Sequence, residues 1–304
     1  MAYDQEVGTM NLRAQFFDKV IKQVAKRMYK FKQAVTISPT NAWKNYFFRE
    51  NTAVLAGASG NTTKGIPRGA NFPAAYQTYE RVSAIIEKYG LEQNIFYEDI
   101  LSGEIDSRNR ALYKITEGIV KSVDDEIYAE LTENLGVASI ANLGALANIQ
   151  KALVSSGSTS GAAWNESSAA IIDDLMHAKQ LIAEQNYDTS NLLCFISPKD
   201  HRFAVKYITD KGAQFNGLSN QTAMNGAMFS LAGITLIQSN SVPASMALVV
   251  VPRICGTWKE LVPLQTTTKE DPYKSLLIRA VEMGTFQLTD PKSVVLLHGT
   301  QRFL

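Results

Sequence analysis

Residues 192–252 place three short apolar runs close together, and each run is followed by a proline that ends it. The runs are Leu192 to Ile196, Ile234 to Ile237 and Leu248 to Val251, followed by Pro198, Pro243 and Pro252. Apolar runs of this length bounded by turn residues are typical of strands, and proline ends them because it has no N–H for a sheet ladder. The stretch predicts the order strand, helix, strand, strand, and it contains no catalytic motif.

The motifs within this stretch resemble those of a known family. The first strand ends in Ser-Pro-Lys-Asp (197–200), the second follows Leu-Ala-Gly (231–233), and Ser-Asn-Ser-Val-Pro (239–243) precedes the third. This order resembles the apical domain of the HK97-type major capsid proteins of tailed phages and related viruses. The resemblance extends upstream, to a long loop and the long helix Asp106 to Leu135, and downstream, to the closing strands in residues 275–297.

The resemblance implies an α+β fold of the HK97 capsid type. It places an N-terminal arm at residues 1–36 and a peripheral domain at 37–136 plus 252–304, with an axial (apical) domain inserted at 137–251. An extended loop at 50–77 and a spine helix at 106–135 would belong to the peripheral domain.

The implied function is that of a structural major capsid protein, which self-assembles as pentamers and hexamers into an icosahedral shell around a DNA genome. No catalytic, cofactor or metal site is implied, so we expect no enzyme activity. Portal, scaffold or decoration proteins are further possible partners, and packaged double-stranded DNA would make weak, non-specific contacts. Two alternatives stay open: an encapsulin-like nanocompartment shell with a cargo enzyme, and a soluble α+β enzyme with an apolar pocket and convergent titratable groups.

Composition agrees with an intracellular protein. The two cysteines, Cys194 and Cys255, are too few for a disulfide framework and too far apart for a paired metal motif. The first ten residues lack the charged start and apolar run of a secretory signal, and no apolar run reaches the roughly eighteen residues of a membrane-spanning helix. We therefore expect buried free thiols, assembly in the host cytoplasm, a place in the virion, and no membrane partner.

The overall charge of +1 hides an uneven distribution. Residues 11–33 contain seven bases and one acid, a net charge of +6, so the rest of the chain carries −5. The bases are Arg13, Lys19, Lys22, Lys26, Arg27, Lys30 and Lys32, and the acid is Asp18. Such a segment fits a nucleic acid, an acidic scaffold or the acidic surface of a sister subunit.

An apolar stripe at helical spacing runs from Leu12 to Phe31. Its members are residues 12, 16, 20, 24, 28 and 31, with 17 and 21 beside them. The spacing predicts an amphipathic helix, which Ser38 and Pro39 close off. This helix either packs on its own domain or docks on another subunit. No long helical segment precedes Leu12, so we expect no scaffolding domain in this chain.

Residues 42–79 begin with aromatic side chains and continue into a stretch rich in glycine and proline. Residues 57–73 hold four glycines and two prolines, and so long a structureless segment is uncommon inside a compact domain. Between strand-like flanks it predicts a long hairpin that reaches away from the body, which matches the extended loop of the resembled family.

Lys64 within this loop suggests two functional hypotheses, a phosphate-binding loop and a crosslink. Residues 57–65 do not form a phosphate-binding loop, because Thr63 and Gly65 stand where that motif needs glycine and a hydroxyl residue. Some members of the resembled family crosslink a lysine of this loop to a neighbour's asparagine, which makes Lys64 a conceivable donor. The sequence identifies neither the asparagine nor the promoting acid, so we do not predict the crosslink.

The longest helical pattern runs from Asp106 to Leu135. Its apolar face contains Leu112, Ile115, Ile119, Val123, Ile127, Leu131 and Leu135, widened by Thr116, Val120 and Tyr128. Asp106 or Ser107 is the expected N-cap, and Gly136 the expected stop. A helix of about thirty residues spans about 45 Å, which suits a strut.

Downstream, Asn165 is predicted to cap a helix that continues through Gln185. Together with the strands of residues 192–252, this helix predicts a small α+β domain from Val137 to about Val251. Three strand-like segments follow, at residues 257–265, 275–288 and 293–297. No helical segment lies near them in the sequence, so they must pair with earlier elements, which makes the first domain discontinuous.

Four sets of polar or aromatic residues have spacings that some functional sites use, but none predicts a catalytic, metal or stacking site. Ser197 and His201 lack the elbow motif of a nucleophilic serine. Asp173 and His177, with Asp174, share a helical spacing that metal ligands sometimes use, but no second cluster completes the shell. Asp124, Asp125 and Glu126 are expected to be exposed, or to be partners for a neighbouring subunit's bases, such as those of the first helix. Trp43, Trp164 and Trp258 lie too far apart in sequence to predict a stacking platform.

Overall fold

The computed structural model describes residues 19–50, 66–71, 79–102, 107–134, 148–154, 162–210 and 230–301. The helices are α1 (19–28), α2 (Tyr97–Ser102), α3 (Ser107–Leu131), α4 (Ile171–Glu184) and α5 (Pro198–Asp210). The strands of the first half are β1 (Thr36–Pro39), β2 (Lys44–Glu50), β3 (Tyr79–Ile85), β4 (Glu87–Phe96) and β5 (Gln150–Leu153). Those of the second half are β6 (Leu192–Ile196), β7 (Ser230–Leu231), β8 (Ile234–Gln238), β9 (Met246–Val250), β10 (Gly256–Asp271), β11 (Ser275–Leu288) and β12 (Val294–His298).

The chain divides into two compact units. Unit 1 consists of residues 1–45, 83–127 and 258–287, and unit 2 of residues 46–82, 128–257 and 288–304. Both units are therefore discontinuous in sequence. The division differs from the expected one at the C-terminus, because β12 pairs with β9 and β5 and so joins the unit that contains most of residues 137–251.

Unit 1 is built on a four-stranded sheet of order β1-β10-β11-β4. β11 pairs antiparallel with β4, from Ser275 opposite Phe96 to Gly284 opposite Glu87. Helix α3 packs closely on β4, since a Cβ placed on Gly118 would lie 3.1 Å from the Leu91 side chain. Helix α1 buries Ile21 and Ala25 in the core of this unit.

Gly284 provides the space for Trp258, which is fully buried. A Cβ at position 284 would lie 2.5 Å from the indole Cζ2 and 2.9 Å from the Lys259 carbonyl oxygen. We expect Gly284→Ala to lower the free energy of unfolding by about 1–3 kcal/mol, because overpacking displaces a rigid ring and a strand carbonyl. Urea unfolding measures this, with Gly90→Ala as the control, since its nearest contact is 3.3 Å away. Equal effects from both substitutions would contradict the explanation.

Unit 2 contains a six-stranded mixed sheet of order β5-β12-β9-β6-β8-β7. β6 pairs parallel with β8 and antiparallel with β9, and every residue of β9 is buried. Alternate residues of β6, Leu192, Cys194 and Ile196, share a core cluster with Leu175 and Ala178 of α4. The three strands predicted from residues 192–252 are thus present, within two residues of the expected bounds.

The spine helix α3 is shorter than predicted. It spans 25 residues, about 37 Å, and the described members of the predicted apolar face, from Leu112 to Leu131, are buried. It ends before the predicted stop because Glu133 and Asn134 adopt positive φ angles of 51° and 57°. The Asn134 N–H donates to the Ala129 carbonyl at 2.6 Å, a left-handed ending that satisfies a terminal carbonyl. Leu135 and Gly136 lie outside the described residues.

Two other helices begin or face differently from the prediction. Helix α4 starts at Ile171 and not at Asn165, because the Trp164 N–H is bonded to the Thr300 carbonyl and residues 164–168 form turns. In α1 the buried stripe is Ile21 and Ala25, continued by Tyr29, while Val20, Val24 and Met28 are only half-buried. Within the described part of the chain, no helix is both long and apolar enough to cross a membrane.

Candidate interaction surfaces and polar clusters

Ser197 immediately precedes helix α5 and caps its start. Its hydroxyl accepts the Asp200 N–H at 3.2 Å and donates to the Asp200 carboxylate at 2.6 Å. The His201 backbone N–H donates to the Ser197 carbonyl, so the pair is joined through the main chain. Ser-Pro-Lys-Asp is therefore a helix start, with serine as N-cap and proline at the first helical position.

Asp200 ties the C-terminal residues to α5. The side chain is fully buried and also accepts hydrogen bonds from the Thr300 hydroxyl and the Gln301 amide, both at 2.9 Å. Burial raises the pKa of this carboxyl, while the hydrogen bond from Ser197 opposes the rise. We call Ser197, Asp200, Thr300 and Gln301 the C-terminal latch.

Asp173 and Asp174, two members of the set of Asp173, Asp174 and His177, lie in different environments. Asp174 is 1% exposed and accepts the indole N–H of Trp164 at 2.9 Å, whereas Asp173 faces solvent. No group of three metal-ligating side chains occurs among the residues that the structure describes.

The cysteines and tryptophans are mostly buried. Cys194 and Cys255 are free and fully buried, and burial raises the pKa of the Cys255 thiol to about 12. Trp164 and Trp258 are buried and Trp43 is 56% exposed.

Lys32 lies at the centre of a buried ionic cluster in unit 1, which sequence analysis did not predict. Its ammonium pairs with the fully buried Glu282 and lies 3.8 Å from Glu260. The ammonium also sits 4.3 Å from the centre of the Tyr29 ring and 5.0 Å from that of Trp258. Tyr29 donates its hydroxyl to Glu282. One of the seven bases of the arm therefore holds the arm to its own unit.

Asp124 supplies the second attachment of the arm. It is 4% exposed and accepts the backbone N–H groups of Lys30 at 2.9 Å and Phe31 at 3.2 Å. The prediction of an exposed carboxylate is wrong for Asp124, although Asp125 is exposed. The partner lies at the end of the first helical segment, as suggested, but it is the backbone of the same chain and not a basic side chain.

Burial raises the pKa of Asp124 to about 6, against a usual 3.8, although the two N–H groups oppose the rise. Its folded pKa exceeds the unfolded value, so its stabilising contribution is complete below about pH 4 and is lost as pH rises through about 6. We expect wild type, measured against Asp124→Asn, to lose up to about 3 kcal/mol of unfolding free energy from pH 4 to pH 7. Urea titrations at both pH values measure the difference, and a constant difference would contradict the assignment.

An apolar groove of about 590 Å³ runs between α1 and β10 in unit 1. Ala25, Ile37 and Leu264 contribute apolar surface to it, and Lys22 and Lys26 of α1 add positive charge. We call it the arm groove. These two exposed lysines outnumber the one acid of the groove, Glu260, while the charge of Lys32 is paired with Glu282.

The paired strands β2 and β3 form a separate two-stranded ribbon that carries exposed aromatic side chains. Tyr46 and Phe48 of β2 are 54% and 60% exposed, whereas Phe47 between them is buried. Phe48 packs edge-on against Tyr79 at 6.2 Å, and Arg81 stacks over Tyr46 at 4.2 Å. Contiguous exposed apolar surface of this kind marks interaction sites. The ribbon flanks the predicted loop 50–77 as expected, but Lys64 and most of that loop lie outside the described residues.

A second exposed surface lies at the end of the β10–β11 hairpin. Tyr273 in the turn is 84% exposed and packs edge-on against Tyr97 at 5.9 Å, and the Tyr97 N–H donates to the Lys274 carbonyl. Phe96 and Leu101 nearby in sequence are 57% and 67% exposed. We call residues 96–101 the tip segment.

The polar clusters escaped sequence analysis because their members lie far apart in the chain. Lys32 and Glu282 are 250 residues apart, and Asp200 and Gln301 are 101 apart. One sequence signal for these clusters was available but not used: Asp124 follows Val123 of the apolar stripe of α3, a position that favours burial.

A family model described as "Phage capsid protein" matches residues 79–297 of this chain. No characterised protein matches significantly by sequence. Among solved structures, the virus-like particle from Pyrococcus furiosus matches with a TM-score of 0.60 and 10% identity, over 94% of this chain and 99% of that one.

Two phage capsids are similar to the same extent. The capsid of cyanophage P-SCSP1u gives a TM-score of 0.61 and 13% identity, over 89% of this chain and 88% of that one. The mature capsid of bacteriophage PhiM1 gives 0.60 and 13%, over 90% and 88%. At these identities the likeness concerns the fold, and the prediction of the fold class is confirmed.

Proposed function

This chain belongs to the phage capsid protein family, and we propose that its copies assemble as pentamers and hexamers into a closed icosahedral shell around a DNA genome. The resemblance to HK97-type major capsid proteins is confirmed, and the chain is a structural component of a virion capsid. Shell formation follows from self-association, so we propose that the chain performs no catalysis.

The observation that supports the proposal is a set of exposed apolar side chains, on a chain whose helices and strands otherwise bury such side chains. The aromatic ribbon of β2 and β3 and the tip segment each present large apolar side chains to solvent, which contact with other copies would cover. The extended loop 50–77 overlaps the neighbour's spine-helix side, and the lobe of residues 137–251 meets its copies around the five-fold and six-fold axes. Each contact can be weak, because many contacts per subunit act together in a closed surface.

The interior of the shell would hold DNA by weak contacts with phosphate. Lys19 of α1 is exposed and offers positive charge without sequence specificity, as non-specific DNA contacts require. Assembly would take place in the host cytoplasm, with portal, scaffold or decoration proteins as further partners.

Negative-stain electron microscopy of the protein expressed alone tests the proposal. Uniform shells tens of nanometres across are the expected result, whereas particles of monomer size under all conditions, with or without co-expressed partners, would refute it. A nanocompartment that encloses a cargo enzyme is not favoured, because the matching family model is that of a phage capsid protein. Nuclease-protected nucleic acid inside shells from infected cells supports the viral function, and packaged enzyme would support the alternative.

A further inference from the structure

We propose that the tip segment of one copy docks in the arm groove of the next copy. This inference rests on the proposed function, because it needs many copies at one surface. It assigns a partner to the groove between α1 and β10, and it commits to a second copy of this chain as the occupant.

The two surfaces complement each other in charge and in polarity. The arm groove has apolar surface from Ala25, Ile37 and Leu264 and positive charge from Lys22 and Lys26. Residues 96–101 carry two acids, Glu98 and Asp99, and no base, and Phe96 and Leu101 are more than half exposed. An acidic segment with exposed apolar side chains is the kind of ligand that an apolar groove with lysines selects.

The extended loop is a poorer occupant on electrostatic grounds. Residues 50–77 hold one acid, Glu50, and two bases, Lys64 and Arg68, for a net charge of +1. The groove is itself positive, so this loop would meet like charge there, whereas the tip segment brings a charge of −2.

The geometry of the sheet requires that the contact join two copies. The tip segment lies at the hairpin turn, where Tyr97 is hydrogen-bonded to Lys274 and Phe96 pairs with Ser275. Leu264 in the groove is seven residues before Asp271 along β10, a distance of about 23 Å in a strand. A segment at the turn therefore does not reach its own groove. The contact uses two different surfaces, so it is head-to-tail, the type that closes into rings.

Charge reversal tests the contact in assembling protein. We expect Lys26→Glu alone and Glu98→Lys alone each to raise the minimum concentration for shell formation about tenfold, because like charges then face each other. The double variant restores the opposite charges and should return to near the wild-type value. Arg27→Glu is the matched control, since Arg27 is exposed on the same helix but does not line the groove. A double variant no better than the single ones, or an equal effect of Arg27→Glu, would overturn the docking.

A cysteine pair tests the contact whether or not shells form, because the native cysteines are fully buried. Protein with both Lys26→Cys and Glu98→Cys should form covalent chains of copies under mild oxidation at high concentration, and Arg27→Cys with Glu98→Cys should not. If no disulfide-linked chains form, the docking is overturned. An equal yield of such chains from Lys26→Cys with Lys64→Cys also overturns it, because it would place the extended loop in the groove. If wild-type protein forms shells and the variant with Lys26→Cys and Glu98→Cys forms no disulfide-linked chains, the docking alone is refuted; if the variant forms such chains and wild-type protein forms no shells, the shell alone is refuted.

Discussion

Replacing Lys32 by methionine is expected to lower the free energy of unfolding of unit 1 by about 3–5 kcal/mol, the usual cost of removing one partner of a buried ion pair. Methionine keeps the apolar contact with the rings of Tyr29 and Trp258 but leaves Glu282 without its cation. Glu282 is fully buried, and of its two described donors it would lose the Lys32 ammonium and keep the Tyr29 hydroxyl. Burial raises the pKa of Tyr29, so the phenol stays protonated and keeps donating.

The double variant Lys32→Met/Glu282→Gln separates charge from packing. Neutralising Glu282 removes the uncompensated charge, so we expect most of the lost stability to return, and a double-mutant cycle gives the coupling. Urea unfolding followed by fluorescence measures each variant, with Lys26→Met as the exposed control, expected within about 0.5 kcal/mol of wild type. A Lys32→Met protein as stable as that control would show that the cluster does not stabilise the arm.

The cluster also explains what happens to the charge of the arm. Lys32 is one of the seven bases of the arm that were predicted to face a nucleic acid, a scaffold or a sister subunit. In the structure its charge is paired with Glu282 inside unit 1. Asp124 holds the adjacent backbone from the other side. Of the two hypotheses for the first helix, packing on its own domain holds for its described residues, and the exposed lysines of α1 remain for partners.

Periodic apolar patterns predicted the elements well, because burial alone produces them. The stripe of α3 and the runs of β6, β8 and β9 follow from one apolar side or from full burial, and they needed no knowledge of the partners. The end of α3 was predicted less well. Gly136 was the predicted stop, but the chain turns earlier, at Glu133 and Asn134, and of these two only asparagine is enriched at positive φ.

Long-range polar contacts could not be predicted from local patterns. Asp200 belongs to the Ser-Pro-Lys-Asp motif, but its partners Thr300 and Gln301 are about a hundred residues away. The same separation misplaced the C-terminus, since the pairing of β12 with β9 and β5 assigns the last residues to unit 2. Apolar patterns predict which residues are buried, but they do not predict which distant strand or carboxylate those residues contact.

Asp200→Ala is the second substitution with a large expected effect, a loss of about 3 kcal/mol or more in the free energy of unfolding of unit 2. The substitution leaves three donors of the C-terminal latch, on Ser197, Thr300 and Gln301, without their acceptor in a buried site, and each such group costs about 1–3 kcal/mol.

Trp164 is the natural reporter of this loss, because its backbone N–H donates to the Thr300 carbonyl. We expect Asp200→Ala to shift the fluorescence of Trp164 at urea concentrations below the main transition and to speed hydrogen exchange at the Trp164 amide. Asp200→Asn keeps one acceptor oxygen and should fall between wild type and alanine, while Asp173→Ala, an exposed acid on α4, is the matched control. If Asp200→Ala matched Asp173→Ala in both readouts, Thr300 and Gln301 would be held by the sheet contacts of β12 alone. A loss of stability that increases from wild type through Asp200→Asn to Asp200→Ala would instead show that the buried carboxylate holds Thr300 and Gln301 in place.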